Sequence, residues 1–122
     1  AFFTDLPERM AGAHLVVSRA GASTVAELAA IGRPAILVPL PHALDQDQLA
    51  NATALARAGG AIVLPQNQFT PERLAAEIAA LAGAPERLAA MAAAARAAGA
   101  LDAAERLADL VLRVANMIPR AP

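Results

Sequence analysis

Three short apolar runs punctuate the first half of the chain: residues 14–18 (HLVVS), 35–39 (AILVP) and 61–64 (AIVL). Runs of this length, rich in branched residues and bounded by turn formers, predict strands. They are continuous rather than alternating, which predicts a parallel sheet covered on both faces. Between them the period changes. After the small-residue loop Arg19-Ala20-Gly21-Ala22, Ser23 and Thr24 open a helix over residues 25–31, with Val25, Leu28 and Ala29 on one face. Gly32 closes it and Pro34 prevents its continuation. A proline-rich loop over residues 39–44 leads into a second helix, residues 45–58, with Leu49, Ala52 and Ala56 on one stripe. Gly59-Gly60 ends it.

The remainder reads as helices. Thr70-Pro71-Glu72 is a helix start: a cap residue, proline in the first turn, then an acid near the positive end of the dipole. Leu74, Ile78 and Leu81 follow at helical spacing. Pro85 starts another helix with Leu88, Met91 and Ala95 inward, and Asp102, with Glu105 three residues on, caps the last. Leu107, Leu110, Val111 and Val114 form its apolar stripe. Strand–helix alternation followed by helices predicts an α/β fold, a Rossmann-like parallel sheet with flanking helices. Three strands are few for such a sheet. The chain opens Ala1-Phe2-Phe3 with no initiator Met. The expectation is therefore a partial domain, residues 1–122, whose further strands lie upstream and leave one sheet edge open.

Composition narrows the function classes. The 122 residues include no Cys, so disulfides, thiolate metal sites and cysteine nucleophiles are excluded. His14 and His42 are too few for a histidine-based metal cluster. The formal net charge is −1, with no Trp or Tyr, which argues against a nucleic-acid partner. All 10 basic residues are Arg and 36 residues are Ala. Alanine sits equally well inside and outside, so the apolar pattern says less here about which helix face is buried. No apolar stretch is long enough to span a bilayer.

Two segments could carry chemistry. The first is the loop from Ser18 through Arg19, Ala20, Gly21, Ala22, Ser23 and Thr24, with Glu27 behind it. It joins a strand to a helix, where free backbone N–H groups and the dipole favour a phosphate. Its small residues let a ligand approach the backbone. Thr24-x-x-Glu27 equally fits a capping box, which needs no ligand. The second segment is Asp45-Gln46-Asp47-Gln48, followed by Asn51. Carboxylates and carboxamides together offer the donors and acceptors that sugar hydroxyls need. Taken one at a time, each also reads as a cap or a solvated helix residue.

Residues 18–28 (SRAGASTVAEL), Gly32-Arg33-Pro34-Ala35, Asp45-Gln46-Asp47-Gln48 and Asn51-Ala52, in that order, resemble the C-terminal half of glycosyltransferase family 28 enzymes. The resembled members transfer N-acetylglucosamine in bacterial peptidoglycan synthesis, and the likeness covers essentially the whole chain. It implies part of the C-terminal domain of a GT-B glycosyltransferase, which holds the donor UDP-N-acetylglucosamine. The acceptor would be undecaprenyl-diphospho-muramoylpentapeptide, met through an N-terminal half that also carries the membrane-facing patch and the catalytic base. Location on the cytoplasmic side of the inner membrane, peripheral, follows from the same likeness. No cofactor is implied beyond the donor itself.

The resemblance also implies site residues. Phe3 stands where the family's backbone meets uracil. Ala22, Ser23 and Thr24, after Arg19 and Gly21, match the turn that meets the diphosphate. Glu27 matches the acid on the ribose hydroxyls, Asp47 and Gln48 the pair beside the sugar, and Asn51 closes the motif. Asp47 stands where some members carry Gln or His, and the domain's first glycine-rich loop is not in this sequence. Two other readings stay open: a GT-B enzyme with a different acceptor, and a nucleotide-sugar binding module without catalysis.

Overall fold

The three apolar runs pair in parallel in the order β1-β2-β3, in a computed structural model that describes residues 3–42 and 47–117. The strands are β1 (Val16–Ser18), β2 (Ala35–Leu37) and β3 (Ala61–Val63), with Val16 opposite Ala35 and Ala35 opposite Ala61. Each is shorter than its apolar run, and proline is the reason. Val16 N–H donates to Pro34 O, but Pro34 has no N–H to return, so His14 and Leu15 stay outside the ladder. At the other end Val38 N–H donates to Ser18 O and Leu64 N–H to Leu37 O. Pro39 and Pro65 follow and cannot donate, so the pairing stops.

Helices cover both faces of this sheet. Ala35 and Leu37 of β2 face one way, packed with Leu28 and Ala29 of α2 (Ala22–Ile31) and with Ala52 and Leu55 of α3 (Asp47–Arg57). Ile36 and Val38 face the other way, packed with Leu81 of α4 (Pro71–Ala82) and Met91 of α5 (Pro85–Ala98). All three residues of β2 are fully buried, which is what the continuous apolar run requires. Thr70 caps α4 as expected, its Oγ1 accepting from Arg73 N–H at 3.2 Å. Gly32, at φ 75°, closes α2 in the left-handed region, and Arg33 N–H returns to Leu28 O.

A short helix, residues Leu6–Gly12, precedes β1 and was outside the predicted elements. It has only seven residues, and its single buried one, Met10, gives no periodic signal. The last helix, Ala103–Met117, forms as expected but its stripe is not covered. Leu107, Leu110, Val111 and Val114 are 49–61% exposed, and Ile78 of α4 is exposed as well. Among the described residues no single helix is long and apolar enough to cross a membrane.

Gly60, just before β3, lies close against α5. A Cβ there would lie 2.8 Å from the Ala95 Cα and Cβ. Gly60→Ala is therefore expected to cost about 1–3 kcal/mol, the usual range for overpacking. Urea unfolding of the two proteins would measure it, and a midpoint no lower than that of the unsubstituted protein would contradict the close approach.

Candidate functional site

The candidate site lies at the carboxyl ends of the strands. In open α/β sheets ligands bind there, and both candidate segments leave the sheet at that end. The β1–α2 loop runs from Arg19 to Gly21, and Gly21 is the N-cap of α2. Its φ and ψ of −60° and 149° suit any residue, and a Cβ on it would meet nothing within 4 Å. Glycine is thus required there neither by the backbone nor by packing, and it keeps the space before the helix open.

The capping-box reading of Thr24 and Glu27 fails. The helix begins at Ala22, so Thr24 already lies inside the first turn and cannot be its cap. No side chain caps this helix, and its first internal bond is Val25 N–H to Gly21 O. The N–H groups of Ala22, Ser23 and Thr24 have no acceptor among the described residues. Ala22 and Ser23 are exposed and Thr24 half-buried. Three free N–H groups stand at the positive end of a ten-residue helix, the arrangement that favours an anion. Glu27 lies one turn further, on the same side as Thr24. It is half-buried, and its carboxylate has no hydrogen-bond or ion-pair partner among the described residues.

The second segment is only partly in view. Asp45 and Gln46 lie outside the described residues. Asp47 is exposed at the start of α3, and Gln48 is half-buried behind it. Gln48 Oε1 accepts from Leu40 N–H at 2.9 Å and from Ala20 N–H at 3.3 Å. Asn51 Nδ2 donates to Ala20 O at 3.1 Å. Arg19 Nη1 donates to Val38 O and Pro39 O at 3.3 and 3.4 Å. The structure thus joins Arg19, Gln48 and Asn51 in one network around the two loops. Phe3 is outside that network: it is half-exposed, and its ring lies under Arg9, 4.4 Å from Cζ to centroid.

Sequence reasoning missed the neighbouring cleft. It has a volume of about 630 Å³ and is lined by Leu40, His42, Leu49, Pro65, Gln66 and Asn67, among others. Pro65 and the short 3-10 turn that follows it, Gln66–Gln68, carry no motif. Their position past a strand's carboxyl end is the one signal that could have found them. His42, at φ 61°, stands in the left-handed region at this rim.

Known proteins share this fold. The family model described as "Glycosyltransferase family 28 C-terminal domain" matches residues 1–107. A UDP-N-acetylglucosamine--N-acetylmuramyl-(pentapeptide) pyrophosphoryl-undecaprenol N-acetylglucosamine transferase of Bradyrhizobium diazoefficiens is 70% identical over 116 residues, covering 95% of this chain and 32% of the relative. A transferase of the same name from Rhodopseudomonas palustris BisB18 is 71% identical, with 95% and 31% covered. A crystal structure of Acinetobacter baumannii MurG superposes with a TM-score of 0.83 at 38% identity, covering 92% of this chain and 32% of that one. The glycotransferase of kitacinnamycin superposes with a TM-score of 0.65 at 29% identity, covering 91% and 28%. The chain thus spans about a third of the length of the curated relatives it matches. With residues 1–107 matched and the strand-end turn in place, the chain belongs to the glycosyltransferase family 28 C-terminal domain family.

Proposed function

We propose that this chain is the donor-binding part of an N-acetylglucosaminyltransferase of peptidoglycan synthesis. The observation that carries the reading is the uncapped first turn of α2, three free N–H groups with Glu27 one turn behind. The β-phosphate of UDP-N-acetylglucosamine would sit on that turn and the ribose hydroxyls on Glu27. In transfer, the bond from the sugar's anomeric carbon to the diphosphate oxygen breaks, and a bond forms from that carbon to an acceptor hydroxyl. Charge grows on the departing UDP, and N–H dipoles already aimed at it stabilise that growth more than the ground state. The acceptor, a lipid-linked muramoylpentapeptide at the cytoplasmic face of the inner membrane, and the base that takes its proton belong to the rest of the full-length protein. The kitacinnamycin likeness supports a second reading, the same donor chemistry with another acceptor, but at lower identity.

Transfer of labelled sugar by the full-length protein tests this. UDP-N-acetylglucosamine with the muramoylpentapeptide lipid is expected to give product, and UDP-glucose far less; no transfer to that lipid would overturn the acceptor assignment. Gly21→Asp tests the turn separately. A carboxylate at the N-cap would accept from the free N–H groups and stabilise α2 by a few tenths of a kcal/mol. It would also occupy the anion site, so donor affinity should fall by about tenfold or more. Stability and binding are expected to move in opposite directions; affinity unchanged by this substitution would place the diphosphate elsewhere.

A further inference from the structure

The cleft between the loops after β2 and β3 has no part in the donor site. In the strand order β1-β2-β3 it lies further along the sheet edge than the first turn of α2, on the side away from β1. Adjacent strands are about 4.8 Å apart, so the ends of β1 and β3 stand about 10 Å from each other. Gln48 stands between turn and cleft. It accepts from Ala20 N–H on one side and from Leu40 N–H on the other, and both Leu40 and its chain neighbour Leu49 line the cleft. The Gln48 Nε2 has no acceptor among the described residues and can donate to a sugar hydroxyl. With the diphosphate on the first turn of α2, the donor sugar reaches Gln48 and turns its far side to the cleft. The lining suits a neutral, partly polar ring. Val63 and Pro65 add to the apolar surface of the two leucines. Gln66 and Asn67 are exposed, and their carboxamides have no partner among the described residues. No Arg, Asp or Glu lines the cleft, so it holds no charge to pair with a phosphate or a carboxylate.

We propose that this cleft is one wall of the acceptor site and takes the neutral N-acylated sugar ring that carries the attacking hydroxyl. In an in-line displacement the incoming oxygen approaches the anomeric carbon on the side opposite the departing one. The diphosphate departs on the β1 side, so the attack comes from the β3 side, where the cleft lies. The acceptor oxygen bonds to the anomeric carbon, the diphosphate oxygen leaves with the bonding pair, and the hydroxyl proton passes to the base in the rest of the full-length protein. Gln66 and Asn67 each offer N–H donors and a carbonyl oxygen to the acetamido group and hydroxyls of the ring. The leucines and Pro65 cover its C–H face. The charged groups of the acceptor find no counter-charge here and belong to the rest of the protein. The proposal rests on the donor-site reading above and deepens it.

The test uses the full-length protein with Gln66→Ala and Asn67→Ala, which remove one carboxamide each, and Asn67→Trp, which fills the cleft. Both positions are exposed, so folding is not at stake. Two quantities are measured for each: the KM for the lipid-linked muramoylpentapeptide, and the Kd for UDP-N-acetylglucosamine by calorimetry. Each alanine variant is expected to raise the acceptor KM about two- to tenfold, the worth of a neutral hydrogen bond, and to leave the donor Kd unchanged. Asn67→Trp should raise the acceptor KM further, again with the donor Kd unmoved. An acceptor KM unchanged in all three variants would overturn the proposal. So would a weakened donor Kd, which would give the cleft to the UDP-sugar instead. If the unsubstituted protein did not bind UDP-N-acetylglucosamine, the donor-site reading itself would fall, a result obtained before any variant is compared.

Discussion

Glu27→Ala in the full-length protein is expected to weaken UDP-N-acetylglucosamine binding by about 1.5–3 kcal/mol, roughly ten- to 150-fold, the range for hydrogen bonds to a charged group. Glu27 is half-buried on α2 and has no partner among the described residues. A carboxylate so placed can accept from two vicinal ribose hydroxyls at once. The substitution should move stability little, because alanine is the better helix former and no hydrogen bond or ion pair among the described residues is lost. A 2′-deoxyribose donor provides the cross-check. It should bind the unsubstituted protein more weakly and respond less to the substitution. Wild-type donor affinity in Glu27→Ala would remove the ribose role.

The next residue should behave in the opposite way. Leu28 is fully buried between α2 and the sheet, against Leu37 and Leu55. Leu28→Ala is expected to cost about 2–5 kcal/mol, from lost transfer energy plus the cavity left behind. Against a total stability of about 5–15 kcal/mol for a domain, that loss is a large share. Ile78→Ala and Leu110→Ala, at positions 41% and 56% exposed, should each cost less than about 1 kcal/mol. Urea unfolding of the set would rank them, and a Leu28→Ala loss no larger than that of Leu110→Ala would contradict the packing of α2 on the sheet.

Much of the fold was legible because its signals are local. The β2 run is apolar at every position since both faces are covered, and that leaves its mark on consecutive residues. Thr70 caps α4 through a bond three residues away, so cap and partner are read together. Strand ends were less legible. They depend on whether the neighbouring strand can return an N–H, and Pro34 and Pro39 cannot. Of the candidate site, the small-residue turn and Glu27 were legible as candidates from residue type and spacing. The choice between anion site and capping box was not, because it turns on the residue where α2 begins. A shift of two or three residues makes Thr24 a cap or a first-turn donor.

Sequence alone determined the order of the three strands and of the five helices that follow β1, the candidate loops and the family they belong to, since each lies within a few consecutive residues. Tertiary structure decided the rest. Spacing along one segment cannot show that Gln48 meets Ala20, 28 positions away, or that Arg19 reaches Val38, 19 positions away. Only folding two parallel strands side by side brings their following loops together. Nor could spacing show which apolar helix faces are covered. Leu81 and Ile78 share one predicted stripe, yet one is fully buried and the other exposed. In a chain with 36 alanines the helix faces look alike in the sequence, and burial is set by what packs against them.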